Sequence, residues 1–121
     1  MTRTVALVVV LALALAACSR TGTGAAVRTD ITARMTSVQG PIQQCYATVL
    51  KSNRKARGML VVNFRAAPDS GQFDQLSIGR DEPNDPALRQ CVLDEVGKLK
   101  LETPQKTAVQ IAYPINFQPN K

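Results

Sequence analysis

Hydrophobic side chains recur along the chain at two spacings, which divide it into helical and extended segments. Between Asp30 and Ser52 they recur every three or four residues, as on a helix that buries one side. Thr29 or Asp30 would cap the start of this helix. The buried stripe consists of Ile31, Met35, Val38, Ile42, Cys45, Tyr46, Val49 and Leu50.

Gly40 and Pro41 interrupt this helical stripe. Proline lacks an amide donor and its ring clashes with the preceding turn, so it kinks a helix or ends one and opens the next. The hydrophobic stripe continues in phase across Pro41, so we expect a kink in one long helix. A break, with Pro41 opening a second helix, is the alternative.

Residues 58–67 alternate between apolar and mixed positions, which predicts a strand with one buried face. The buried positions would be Leu60, Val62, Phe64 and Ala66, and the opposite ones Val61, Asn63 and Arg65. The following residues, Pro68-Asp69-Ser70-Gly71, have the composition of a turn.

A second strand is expected over residues 73–78, completing a hairpin with Leu76 and Ile78 on the buried side. Phe73 is out of phase with these two side chains, so a bulge or a strand end is expected near Gln75.

Asn84 or Asp85, followed by Pro86, predicts the N-cap and first position of another helix. Its buried face would carry Leu88, Cys91, Val92, Val96 and Leu99.

The clearest strand pattern covers residues 107–117, where apolar and other side chains alternate without a break. Pro114 cannot donate a hydrogen bond to a neighbouring strand, so its position should face an open edge of the sheet. One face carries Val109, Ile111, Tyr113, Ile115 and Phe117, and the other carries Ala108, Gln110, Ala112, Pro114 and Asn116.

The N-terminal region has the pattern of a secretory signal peptide, with Arg3 followed by an apolar run from Val5 to Ala17. Thirteen helical residues rise only about 20 Å, short of the ~30 Å hydrocarbon layer of a membrane. The sequence Leu15-Ala16-Ala17-Cys18 resembles the lipobox of bacterial lipoproteins, which implies cleavage after residue 17 and a diacylglycerol thioether on Cys18. The alternative is an ordinary signal peptide that leaves Cys18 as a free thiol.

Residues 18–28 would then be the acylated cysteine and a flexible tether, because they are small, polar and glycine-containing. Residues 29–121 would form a single small domain. Ser19, where some lipoproteins have aspartate, favours the outer membrane by resemblance to lipoprotein sorting rules. We therefore expect a cell-envelope protein, anchored by lipid and facing the periplasm.

Cys45 and Cys91 remain as a pair once Cys18 is assigned to lipid. An exported protein meets an oxidising compartment, where a disulfide forms and persists. We expect the pair to be bonded; two reduced buried thiols are the alternative. A metal site is not expected, since two cysteines without histidine do not complete a tetrahedral ligand set.

The chain has 15 basic and 9 acidic side chains, a net charge of +6, which favours contact with anionic surfaces. A basic run follows the first helix, and an acidic group precedes the second. Each has two interpretations: an ion-binding site, or solvated charges near a helix end, which we favour. The basic run is Lys51, Arg54, Lys55 and Arg57, and the acidic group is Asp81, Glu82 and Asp85.

Catalysis is not expected, because the chain has no histidine, no glycine-rich phosphate loop and no nucleophile-elbow serine. No cofactor is indicated either. Nucleic acid is a poor candidate partner, since the basic residues are scattered and an exported chain rarely meets it.

Three short motifs occur in order along the chain: Cys45-Tyr46, Cys91-Val92, and Tyr113-Pro114-Ile115 with Phe117. Together with the order of the elements, they resemble the TonB C-terminal fold, in particular the AgmX/PglI-type C-terminal domain of gliding-motility proteins. The resemblance covers about residues 30–119. It departs from the family at Leu99 and Leu101, where an aromatic pair is usual, and at Pro41. The matching residues are Cys45-Tyr46 and Leu50, Gly58 with Leu60, Val62 and Phe64, Gly71, Leu88 with Cys91-Val92, and Tyr113-Pro114-Ile115 with Phe117.

The resemblance implies an α+β fold in which two helices pack on one face of a three-stranded antiparallel sheet, in the order α-β-β-α-β. The last strand would lie at an edge, and the face opposite the helices would be solvated. That face would carry Val61, Asn63, Arg65, Gln110, Ala112 and Asn116.

The function implied is a non-enzymatic accessory module of envelope or motility machinery that binds a protein partner by strand addition. The partner edge would comprise Ala108, Gln110, Ala112, Pro114 and Asn116. The alternative is a structural tether that contacts peptidoglycan or anionic lipid through basic residues. The protein would be a monomer or a weak dimer.

Overall fold

The structure is a computed structural model that describes residues 24–119. The expected signal peptide, Cys18 and residues 18–23 of the tether lie outside the described residues. Three helices and a three-stranded antiparallel sheet make an α+β fold. The elements are α1 (Ala25–Ser37), α2 (Gln39–Ser52), β1 (Gly58–Ala66), β2 (Phe73–Asp81), α3 (Pro86–Val96) and β3 (Val109–Phe117).

The sheet has the order β2-β1-β3, so β1 is central and β3 lies at an edge. The predicted alternation of β1 is confirmed: its even-numbered side chains from Leu60 to Ala66 are at most 2% exposed. They join the buried side chains of all three helices in a single core. The helices therefore cover one face of the sheet.

The predicted irregularity near Gln75 is a β-bulge. β1 pairs Asn63 with Ser77 and Arg65 with Asp74, so two residues of β2 lie opposite Phe64 alone. Gln75 adopts a positive φ of 52° at this point. A second shift, between the Val62–Ile78 and Leu60–Asp81 pairs, places another bulge near the end of β2.

The expectation of one long kinked helix is wrong, because the helix breaks at Val38, with φ −109° and ψ 11°. The fold therefore has three helices where two were expected. Pro41 is the third residue of α2, within the first turn, where the missing amide costs no intrahelical bond. Val38 itself stays buried, which is why the apolar stripe continues through the break.

The helix also starts earlier than expected. Gly24 is its N-cap, so residues 25–28, expected in the flexible tether, form its first turn. Asp30, expected as a cap, lies inside α1. Its carboxylate accepts hydrogen bonds from the amides of Glu102 (3.1 Å) and Thr103 (2.9 Å), which fastens α1 to the loop before β3.

α3 begins as predicted at Pro86, and the Asp85 carboxylate accepts a hydrogen bond from the Leu88 amide at 3.0 Å. The helix ends at Val96, so Leu99 lies beyond it rather than on its face. The following segment returns to the hairpin: the Leu101 amide donates to the Gly71 carbonyl at 3.0 Å. Leu101 fills the core with 1% exposure.

Cys45 on α2 and Cys91 on α3 are joined by a disulfide, with Cα atoms 5.9 Å apart. The bond links the two helices that pack most closely against each other. It closes a loop with a sequence separation of 46 residues.

Candidate functional site

The partner edge expected from the sequence lies along the open side of β3. Gln110, Ala112, Pro114 and Asn116 belong to the strand, and Ala108 immediately precedes it. All five residues are exposed. β3 pairs with β1 over nine consecutive residues without a register shift, from Gly58 opposite Phe117 to Ala66 opposite Val109.

The direction of the backbone groups follows from this register. On the β2 side, the Met59 carbonyl accepts from the Glu82 amide (3.0 Å) and the Ala67 amide donates to Gln72 (2.8 Å). Because a residue in an antiparallel pair directs both backbone groups to the same side, odd-numbered β1 residues bond to β2 and even-numbered ones to β3. Pro114 lies opposite Val61, so it and the other even-numbered β3 residues direct their backbone groups away from the sheet.

The two edges of the sheet differ. β2 is interrupted by two bulges and carries Asp74, Arg80 and Asp81, features by which proteins protect an edge from added strands. The segment 107–119, by contrast, contains no charged residue and no bulge against β1. Within the described part of the chain, β3 is thus the less protected edge, with Pro114 as its one protective residue.

A groove runs beside this edge between β3, α1 and the first turn of α2. Its floor is the helix-facing row of β3, which is only half-buried from Val109 to Ile115, whereas the adjacent row of β1 is fully buried. Three cavities lie along it. From the start of β3 to its end, their volumes are about 480, 260 and 190 Å³.

The cavities follow the strand in register with the helix. The first lies between Val27 and Val109, and the second between Ile31 or Thr32 and Ile111. The third lies between Thr36 and Pro114. Main-chain hydrogen-bonding groups and a partly apolar groove therefore occupy the same margin of the fold.

The basic run at the end of α2 is exposed at Lys51, Arg54, Lys55 and Arg57. None of the four forms an ion pair with another described residue. The run leads into the start of β1, opposite Phe117. It is therefore far from the groove cavity beside Val109.

The acidic group at the end of β2 is occupied by internal contacts. Asp81 accepts from the Asn84 amide at 2.8 Å and pairs with Arg89 at 2.5 Å. Glu82 accepts from the Met59 amide at 2.7 Å and pairs with Arg80, contacts that lower the pKa of its carboxyl group.

Asp85 belongs to the same acidic group. The Asn53 side-chain amide donates to its carboxylate at 3.0 Å, and this bond, with that of the Leu88 amide, lowers the pKa of Asp85. The three acids thus turn to different partners and do not converge on a common point.

Among residues 24–119, no group of three or more His, Cys, Asp or Glu side chains lies close enough to hold a metal ion. In the same residues, no helix has the length and apolar character needed to cross a membrane. The predicted lipidation site, Cys18, lies outside them.

The groove was not predicted from the sequence because α1 begins earlier than expected. Val27, Ile31 and Met35 recur at helical spacing, which is the signal that α1 begins before Asp30. An aspartate preceding an apolar stripe is typical of a helix cap, so residues 25–28 were expected in the tether.

Comparisons with protein-family models, curated proteins and solved structures gave no match.

Proposed function

We propose that this protein is a non-enzymatic, lipid-anchored envelope lipoprotein that binds a protein partner by adding one of its segments as a strand to the open edge of β3. The carrying observation is the nine-residue, regularly paired and uncharged edge strand. Strand addition gains affinity from main-chain hydrogen bonds and selectivity from alternate side chains.

The asymmetry of the sheet supports β3 as the binding edge. Bulges and charges obstruct β2, so a new strand would find a continuous set of donors and acceptors only on the other side. The half-buried row beside the edge supplies apolar surface that an added strand would cover. The Cys45–Cys91 disulfide cross-links the domain that presents both the backbone groups of the edge and this apolar surface.

The anchoring part of the proposal rests on the sequence. The apolar run before Cys18 and the small residues preceding it resemble a lipobox, and the resemblance to TonB C-terminal and AgmX/PglI-type domains suggests envelope or motility machinery. The domain would face the periplasm, and Ser19 favours the outer membrane.

The exposed basic run supports a second candidate function, a structural tether that contacts peptidoglycan or an anionic lipid surface. Lys51, Arg54, Lys55 and Arg57 have no acidic partner among the described residues, so their charges are available to an anionic polymer. Co-sedimentation with sacculi that survives moderate salt would favour this function over strand addition.

Replacing Ala112 by proline tests strand addition, because it removes an outward amide donor in the middle of the edge without touching the ladder to β1. We expect Ala112→Pro to lower the crosslinking yield of the acylated protein with its envelope partner by about tenfold. Ala112→Thr keeps the amide and should leave the yield unchanged. Equal capture by both folded variants would remove edge pairing from consideration.

A further inference from the structure

The edge of β3 is not uniform along its length, because Pro114 lies within it. A strand added to this edge would find amide donors at Gln110 and Ala112, with Ala108 just before the strand. At Pro114 it would find a carbonyl but no donor. Beyond the proline only Asn116 directs its backbone outward before β3 ends at Phe117.

Resting on the proposed strand addition, we propose that Pro114 divides the edge into a pairing half, residues 108–112, and a closed half, residues 114–116. The pairing half binds an extended segment of a partner protein, about five to seven residues long, whose groove-facing side chains are mainly apolar and carry no positive charge. Pro114 sets the register by ending the pairing.

The cavities agree with this division. The two larger ones, of about 480 and 260 Å³, lie beside the pairing half, and the smallest, of about 190 Å³, lies beside Pro114. Side chains of an added strand alternate between the two faces of the sheet, so every second one would enter the groove under α1. The side chains of Val27, Ile31 and Ile111 would receive them.

The lining of the two larger cavities determines the chemistry of the partner segment. No acidic side chain lines either one, and Arg28 lines the second, so a positively charged side chain of the partner would find no opposite charge there. Positively charged side chains of the partner would therefore point to the opposite face of the sheet, where β3 is exposed. The resulting pattern is an alternation of apolar and polar residues.

A second copy of this chain fits the edge less well. Symmetric pairing of two β3 strands would bring together two chains that each carry an excess of positive charge. This observation favours a flexible segment of another protein.

The experiment uses a displayed library of random nine-residue peptides, selected on the acylated protein in detergent. We expect enriched peptides with alternating apolar positions; failure to enrich any peptide would overturn the proposal. An enriched peptide, labelled with a fluorophore, is then the probe for affinity measurements. Each variant is first checked for an unchanged urea unfolding midpoint.

Two matched pairs of variants separate the halves. Ala112→Pro and Asn116→Pro each remove one outward amide, and Thr32→Lys and Thr36→Lys each fill a cavity from neighbouring turns of α1. Ala112→Pro and Thr32→Lys should each weaken binding by about tenfold. Asn116→Pro and Thr36→Lys should each change it less than twofold. In a Pro114→Ala background, Asn116→Pro should also weaken binding, because the edge is then continuous.

The outcomes distinguish this inference from the function on which it rests. Equal weakening by both members of each pair would overturn the division of the edge while leaving strand addition intact. No weakening by Ala112→Pro would place the peptide elsewhere and contradict strand addition itself. Self-association that Ala112→Pro abolishes, measured by sedimentation velocity, would assign the edge to a second copy and overturn the inference.

Discussion

Tyr46 illustrates what a buried polar atom adds to a helix stripe. Its ring lies 4.9 Å from that of Phe117, centroid to centroid, and its hydroxyl donates to the Ala56 carbonyl at 2.6 Å. Burial raises the pKa of the phenol, against the opposing charge of Arg57. The helical spacing predicts that Tyr46 is buried, but its hydrogen-bond partner lies in an aperiodic loop.

Tyr46→Phe should lower the free energy of unfolding by about 1–3 kcal/mol, because it leaves the buried Ala56 carbonyl without a donor. Urea denaturation followed by circular dichroism measures this loss. Tyr113→Phe is the matched control: Tyr113 is half-buried and its hydroxyl makes no hydrogen bond with a described residue. An equal loss in both variants would contradict the role given to the hydrogen bond.

Asp30 shows the limit of sequence analysis at the same scale. Its side chain is 11% exposed and accepts from two amides that lie 72 and 73 residues away in the chain. Local sequence signals its capacity to cap a helix, which is a short-range property. The local sequence gives no indication of the distant loop that folding brings to Asp30, so the tether was predicted too long.

At the scale of elements, the strands are better predicted than the helices because burial on one side imposes a strict alternation. The bulge near Gln75 could be predicted because Phe73 and Leu76 are out of phase. The second bulge of β2 could not be predicted, because Gly79 and Arg80 are both exposed and add no apolar side chain to the alternation. The break at Val38 could not be predicted either, because the apolar stripe continues in phase across it.

The disulfide is the strongest link between elements, because it joins α2 to α3 across 46 residues of sequence. In the chain-entropy model a loop of this length is worth about 4 kcal/mol. The Cys45→Ala, Cys91→Ala double variant should therefore unfold at a markedly lower urea concentration. Reducing the parent protein should give the same midpoint, and an unchanged midpoint in both cases would contradict the stapling role.

At the scale of the molecule, the sequence predicts which strand is at the edge but not what lies beside it. The edge position of β3 was expected from Pro114, which cannot donate to a neighbouring strand, and from the resemblance to a known fold. Predicting the groove requires the position of α1 relative to β3, which depends on the break at Val38 and on the Asp30 contacts. Long-range contacts of this kind leave no periodic signal in the sequence.

At the same scale, three carboxyl groups of the described residues have lowered pKa values. The Asp74 carboxylate accepts hydrogen bonds from two guanidinium nitrogens of Arg65, each at 2.9 Å, and these bonds lower the pKa of the Asp74 carboxyl group. The pKa values of Glu82 and Asp85 are lowered as well, by hydrogen bonds from the Met59 amide and the Asn53 side chain first. The chain contains no histidine, so no side chain has an ordinary pKa between about 5 and 8.

These lowered pKa values predict how stability depends on pH. The folded chain holds fewer protons than the unfolded chain once the pH falls through the ordinary values of 3.8 for Asp and 4.5 for Glu. Stability is therefore fully present above these values and is lost as the pH falls below them through the folded-state values. The growing positive charge of a basic chain acts in the same direction.

We expect the urea unfolding midpoint to be flat from about pH 8 to 5 and to fall steeply below about pH 4. Asp85→Asn keeps an acceptor for the Leu88 amide but cannot ionise, so its midpoint should fall less steeply in acid. A decline that is already substantial between pH 7 and 5 would require a titrating group other than these carboxylates. It would contradict the assignment of acid sensitivity to Asp74, Glu82 and Asp85.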